Sequence, residues 1–136
     1  MELSGRANGT HILLVDDDKR SQISTSKLLE FYGYRVDMVG NGIEALKALE
    51  EEDDYALVLL DCMMPLMDGY QVAATIRDPD SSVRRHNIPI IALTGYTMNE
   101  DRDRCLKSGM NDHISKPILL PDLLAKVCQW VNPLYA

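Results

Sequence analysis

Ala56-Leu57-Val58-Leu59-Leu60-Asp61 is the stretch that decides how this chain folds. Five apolar residues run without a polar interruption and then meet a carboxylate. Such a run reads as a strand buried on both faces, the pattern of a parallel sheet. An ionised Asp at its end is costly unless a cation, a hydrogen-bond donor or a ligand compensates it.

Three other apolar runs also end in polar groups. His11-Ile12-Leu13-Leu14-Val15 leads into Asp16-Asp17-Asp18, and Ile88-Pro89-Ile90-Ile91-Ala92-Leu93 leads into Thr94. The short run His113-Ile114-Ser115 leads into Lys116-Pro117. In a parallel sheet these ends share one edge, so carboxylates, a hydroxyl and an ammonium converge there. A metal-assisted phosphoryl site is the chemistry that such an edge suits.

Strand and helix patterns alternate along the rest of the chain. Strands are expected over residues 12–15, 35–39, 56–60, 88–93 and 112–115. The first helix, 19–32, should face Leu28, Leu29 and Tyr32 inward and stop at Gly33. Asn41 caps a second helix in which Ile43, Leu46 and Leu49 hold helical spacing. Helices over 70–77 and 99–108 follow, the latter strongly polar and stopped by Gly109. The last has Pro121 and Asp122 in its first turn and a stripe of Leu123, Leu124, Val127 and Val131. Five strands alternating with five helices make a doubly wound α/β domain. Residues 11–134 form that domain, and residues 1–10 read as a polar, flexible tail.

Bulk properties narrow the function. A length of 136 residues suits one compact domain with one core. The formal net charge of −7, from 21 acidic and 14 basic residues, disfavours direct contact with nucleic acid or an anionic membrane. No apolar stretch approaches the roughly 20 residues needed to span a bilayer. Residues 1–10 have no apolar core and are not a signal peptide. Cys62, Cys105 and Cys128 are odd in number and lack zinc-like spacing, so a reducing cytoplasm is expected.

Ligands in open α/β sheets bind beyond the carboxyl ends of the strands, where the strand order reverses. With the flavodoxin-like order 2-1-3-4-5, that point lies between strands 1 and 3 and brings Asp16 and Asp17 beside Asp61. Three close carboxylates repel one another, and at least one should have a raised pKa in the empty site. A hard divalent cation relieves the repulsion. Mg²⁺ suits it, because it takes one or two carboxylates, several waters and a phosphate oxygen. Some neighbours have plainer roles. Asp18 and Asp68 read as helix caps, the loop methionines Met63, Met64 and Met67 as packing, and Trp130 as a half-buried anchor of the last helix.

Together these residues resemble the receiver domain of two-component response regulators. The matching elements are Leu14-Val15-Asp16-Asp17-Asp18, Leu60-Asp61-Cys62-Met63-Met64-Pro65 with Met67-Asp68-Gly69, Ala92-Leu93-Thr94-Gly95, and Ser115-Lys116-Pro117. The stretch from Thr94 to Ile118 is most similar to receivers of hybrid sensor histidine kinases. The resemblance implies that Asp61 is the nucleophile that takes a phosphoryl group from a phosphohistidine. It implies Mg²⁺ held by Asp16, Asp17, Asp61 and the backbone carbonyl of Met63, with Lys116 and Thr94 contacting phosphoryl oxygens. A cis Lys116-Pro117 bond, a switch pair of Thr94 and His113, and lifetime tuning by Met63 and Tyr96 follow from it too. His113 departs from the pattern, standing where an aromatic Tyr or Phe is usual. The implied partner is a histidine kinase or a histidine phosphotransfer domain, and the resemblance allows a weak dimer through helices 4 and 5.

Three other readings compete. The chain could be a stand-alone single-domain regulator rather than part of a hybrid kinase. An aspartyl-phosphate hydrolase of the haloacid dehalogenase type also uses a strand-end Asp, but wants a second Asp two residues on, where Met63 stands. A pseudo-receiver that binds without phosphorylation is disfavoured, since every acceptor-site residue is present.

Overall fold

The computed structural model describes residues 9–95 and 99–131. The elements are β1 His11–Val15, α1 Lys19–Phe31, β2 Arg35–Val39, α2 Gly42–Glu51, β3 Tyr55–Asp61, α3 Gly69–Arg77, β4 Ile90–Thr94, α4 Asn99–Lys107, β5 Asp112–Ser115 and α5 Leu120–Val131. The strands form one sheet in the order β2-β1-β3-β4-β5, every neighbouring pair parallel. This is the doubly wound architecture that the alternating pattern predicts.

Why residues 12–15 of β1 and 57–60 of β3 are apolar follows from the two faces of the sheet. Successive side chains on a strand point to opposite faces. Leu13 and Val15, with Val58 and Leu60, pack into a core shared with Ala45 and Leu49 of α2 and Val72, Ala73 and Ile76 of α3. Ile12 and Leu14, with Leu57 and Leu59, pack into a second core with Leu29 of α1 and Leu123 and Val127 of α5. Burying each such Leu or Ile stabilises the fold by about 1.5–3 kcal/mol, so two full cores hold the sheet rigid. That rigidity fixes the positions of whatever stands at the strand ends.

Local signals set the helix ends. Asp18 caps α1 by accepting from Arg20 N at 2.9 Å, and Asn41 caps α2 by accepting from Glu44 N at 2.8 Å. Asp68 and Gln71 form a reciprocal capping box on α3. Gly33 follows α1 with φ +95°, a left-handed conformation that glycine adopts without strain.

Four local expectations are revised or extended. The buried face of α1 includes Gln22, Thr25 and Ser26 as well as Leu29, with Leu28 and Tyr32 half-buried and packed against the second core as expected. Of these polar groups, Gln22 bonds to the strand-end carbonyls of Asp16 and Val39. Ile43 is 62% exposed, and Gly42, Ala45 and Leu49 face the core in its place. The β4 ladder starts at Ile90 rather than at residue 88, since Pro89 has no N–H to give; its carbonyl still accepts from Val58 N at 3.0 Å. Gly9 and Thr10, assigned to the tail by sequence, are already bonded to the domain through Gly33 O and Arg35 N.

Candidate functional site

Register brings the acidic residues together. Val15 of β1 pairs with Leu60 of β3, so the next residues, Asp16 and Asp61, stand side by side at the end of the sheet. Asp16 is fully buried and Asp61 is 5% exposed, whereas Asp17 faces solvent. One carboxylate oxygen from each of the three lies within 4.8 Å of the others. On the other side, Thr94 ends β4 opposite Ser115 of β5, and Lys116 N donates to Thr94 O at 2.7 Å. The Lys116-Pro117 peptide is cis, as expected. From there the Lys116 ammonium reaches Asp16 Oδ2 at 3.1 Å and Asp61 Oδ2 at 3.5 Å.

The electrostatics follow from burial. Removal from water pushes the Asp61 carboxyl up to about 7, against the Met63 amide and the Lys116 ammonium; the Asp16 carboxylate adds to the rise. Burial works against the charge of Lys116, but the Asp61 and Asp16 carboxylates hold its pKa above the ordinary lysine value. The Met63 amide donates to Asp61 Oδ1 at 3.1 Å and the Asp18 amide to Asp16 Oδ1 at 3.0 Å. Hard oxygen donors clustered in this way, with one lysine against three carboxylates, are a donor set suited to a small divalent cation.

The loop after β3 is held by a close approach. A Cβ on Gly69 would stand 2.5 Å from Asp61 O and 2.8 Å from Cys62 Cα. Only glycine lets the start of α3 pack against the Asp61 backbone, and Gly69 N donates to Cys62 O at 3.1 Å. The Met63 side chain is 61% exposed beside the site.

The remaining sequence candidates lie farther out. His113 is half-buried on β5, and burial, with Lys126 nearby, holds its pKa below the usual histidine value, so its ring is neutral near pH 7. Lys126 donates to His113 O at 2.8 Å and to Asp112 at 2.7 Å, and Trp130 Nε1 donates to Asp112 at 3.0 Å, anchoring α5 to β5. Tyr96 lies outside the described residues.

Sequence reasoning missed two groups. Gln22 is buried beside the acidic loop, and its signal is an amide on the inward stripe of α1. At the opposite edge of the sheet, His11 is clasped by Asp54 and Asp37, each 2.7 Å from a ring nitrogen. Beside α1, a groove of ≈ 250 Å³ is lined by Arg20, Ser24, Leu28, Lys116, Pro117 and Ile118.

Residues 12–128 match the family described as the response regulator receiver domain. The chain is 40% identical over 116 residues to the transcriptional regulatory protein HprR of Escherichia coli, covering 85% of this chain and 49% of that protein. The chain spans less than half the length of the curated relatives it matches first, down to 6%. Among solved structures, it is similar to the receiver domain of sensor histidine kinase PA1611 from Pseudomonas aeruginosa, which has a magnesium ion coordinated in its active site cleft. That likeness has a TM-score of 0.78 and 37% identity, over 90% of this chain and 98% of the other. It is also similar to a chain in the Saccharomyces cerevisiae complex of the histidine phosphotransfer protein Ypd1 with the receiver domain of Ssk1. There the TM-score is 0.78 at 25% identity, over 90% and 89% of the two chains.

Proposed function

The chain belongs to the response regulator receiver domain family of two-component systems, and we propose that Asp61 is its phosphoacceptor. In the reaction, a carboxylate oxygen of Asp61 bonds to phosphorus as the N–P bond of a phosphohistidine breaks, and the imidazole nitrogen takes back the electron pair. The observation that carries this reading is the convergence of Asp16, Asp17 and Asp61 within 4.8 Å under the Lys116 ammonium.

Asp16, Asp17, Asp61 and the Met63 carbonyl are the groups that would hold Mg²⁺, in keeping with the magnesium in the PA1611 receiver. Bound there, the ion would neutralise the carboxylates and offset charge on the transferring phosphoryl oxygens. The chain's own residues do the positioning. Lys116 and Thr94, on adjacent strand ends, supply an ammonium and a hydroxyl for phosphoryl oxygens, and the buried strand end keeps water away from Asp61.

The donor we infer is a histidine kinase or a histidine phosphotransfer domain, supported by the likeness to the receiver bound to Ypd1. The hybrid-kinase context rests on the likeness to a sensor-kinase receiver. A stand-alone regulator is the second reading, and the three free thiols favour a reducing cytoplasm for either.

The test is the intact mass of the protein after exposure to a small phosphodonor, with and without Mg²⁺. One added phosphoryl group, dependent on Mg²⁺ and lost in Asp61→Asn, is expected. An Asp61→Asn protein that gains the group at the wild-type rate overturns the assignment.

A further inference from the structure

Gln22 lies on the inward face of α1 and is 9% exposed. Its amide nitrogen donates to two main-chain carbonyls, Asp16 O at 2.6 Å and Val39 O at 2.9 Å. Both amide hydrogens are thereby used. Val39 O also accepts from Asp16 N at 3.2 Å. One side chain of α1 therefore ties the last residue of β2 to the first residue beyond β1.

The tie bears on the acidic cluster through the geometry of the peptide unit. The Asp16 carbonyl and the Asp17 N–H belong to the same plane. Holding that oxygen fixes the rotation of the Asp16–Asp17 peptide, and with it the direction in which each carboxylate leaves the chain. Asp16 has other restraints, since its carboxylate accepts from Asp18 N and pairs with Lys116. Asp17 is exposed, and among the described residues its carboxylate has no such partner. Its aim depends on the backbone that Gln22 grips.

Mg²⁺ tolerates little displacement of its ligands, holding near-ideal octahedral geometry at about 2.0–2.1 Å. Groups one bond removed from the ligands commonly govern affinity by about 10–100-fold. We propose that Gln22 is a positioning residue that sets the divalent-cation affinity of the Asp16, Asp17 and Asp61 cluster by orienting the Asp16–Asp17 peptide. The proposal rests on the cation reading given above.

The experiment titrates Mg²⁺ calorimetrically into the full chain and, separately, measures phosphorylation by a small donor as a function of Mg²⁺. Gln22→Met keeps the length of the side chain and removes both donors. Its Mg²⁺ dissociation constant and half-saturation concentration should rise by about 10–100-fold, with the rate at saturating Mg²⁺ within about threefold of wild type. Ser26→Ala is the control for packing, because Ser26 is also buried on the same helix and its hydroxyl bonds locally, to Ile23 O at 3.1 Å. It should leave the Mg²⁺ titration unchanged. If Gln22→Met fails to fold, Gln22→Leu, also uncharged and without the two N–H donors, is read in the same way. Unchanged Mg²⁺ affinity in a folded Gln22 variant overturns the proposal. So does a lower saturated rate with unmoved half-saturation, which would mean a structural role alone. If wild type itself binds no Mg²⁺, the cation reading fails instead, and the two failures are distinct.

Discussion

The Lys116 ammonium lies closer to Asp16, at 3.1 Å, than to Asp61, the proposed phosphoacceptor, at 3.5 Å. It reaches Asp16 from β5 across the ends of β4 and β3, and so occupies the cluster as its internal cation. Two consequences of opposite sign follow. Lys116→Met should raise Mg²⁺ affinity severalfold, because a competing positive charge is gone. The same change should lower the rate of phosphorylation by a small donor by about 10²-fold, the usual cost of losing one preorganised contact to a developing oxyanion. Calorimetry and intact-mass kinetics on one protein sample check both. A fall in both quantities would show that Lys116 mainly holds the fold.

Asp61 gives the metal-free protein a pH signature. Its carboxyl is raised to about 7, above the ordinary unfolded value near 3.9. The folded state therefore binds the extra proton between about pH 4 and pH 7, and this contribution to stability is lost as pH rises through that window. Asp61→Asn removes the penalty. With chelator present, the variant should be more stable than wild type by about 1–3 kcal/mol at pH 7.5, and the gap should close near pH 4. Millimolar Mg²⁺ should narrow the difference at pH 7.5 by favouring the intact cluster. Urea melts at the two pH values decide it; a gap independent of pH would mean that the Asp61 carboxyl is not raised.

How much of this was legible in the sequence depends on the reach of the interaction. The run ending in Asp61 is apolar because both faces of β3 are covered, and that requirement is written in consecutive residues. The convergence of Asp16, Asp17, Thr94 and Lys116 was legible because a parallel sheet puts all strand ends on one edge. Gln22 was not, because its partners are main-chain carbonyls on two different strands and carry no residue identity. Nor was the Gly69 approach, since a glycine before a helix reads equally well as an ordinary turn. The clasp of His11 by Asp37 and Asp54 joins residues 26 and 43 positions away, and no local pattern announces it.

Docking of the phosphohistidine partner should involve the solvent face of α1. Ile23 is 47% exposed and Phe31 67% exposed, two helical turns apart on a face next to the groove that runs toward Lys116 and Pro117. Single exposed apolar residues are common, but Ile23, one turn into α1 from Asp18 and so at the Asp61 end of the sheet, offers an apolar anchor for an incoming helix, with Phe31 at the far end of the same helix. Ile23→Asp should slow transfer from a phosphohistidine protein by about tenfold, the ~1.4 kcal/mol of a moderate anchor. Phosphorylation by a small donor should stay at the wild-type rate. Equal slowing of both reactions would point to a folding defect and remove α1 from the docking surface.

The aspartyl phosphate on Asp61 should be moderately long-lived. Hydrolysis needs a water in line with phosphorus, opposite the leaving Asp61 oxygen. Two side chains stand two residues beyond site residues, Met63 after Asp61 and Tyr96 after Thr94. Met63 offers no useful hydrogen-bond group to orient water, and the Tyr96 hydroxyl stands far from its own backbone. Neither should activate water, and a bulky pair should hinder its approach. Met63→Asn combined with Tyr96→Glu supplies an amide and a carboxylate in their place. The double variant should lose phosphate about tenfold faster at fixed Mg²⁺ and pH, below the 10²–10⁴ of a full general base because neither new group is preorganised. Decay is followed by intact mass of the purified phosphoprotein. An unchanged or longer lifetime would show that water reaches Asp61 by a route these two positions do not control.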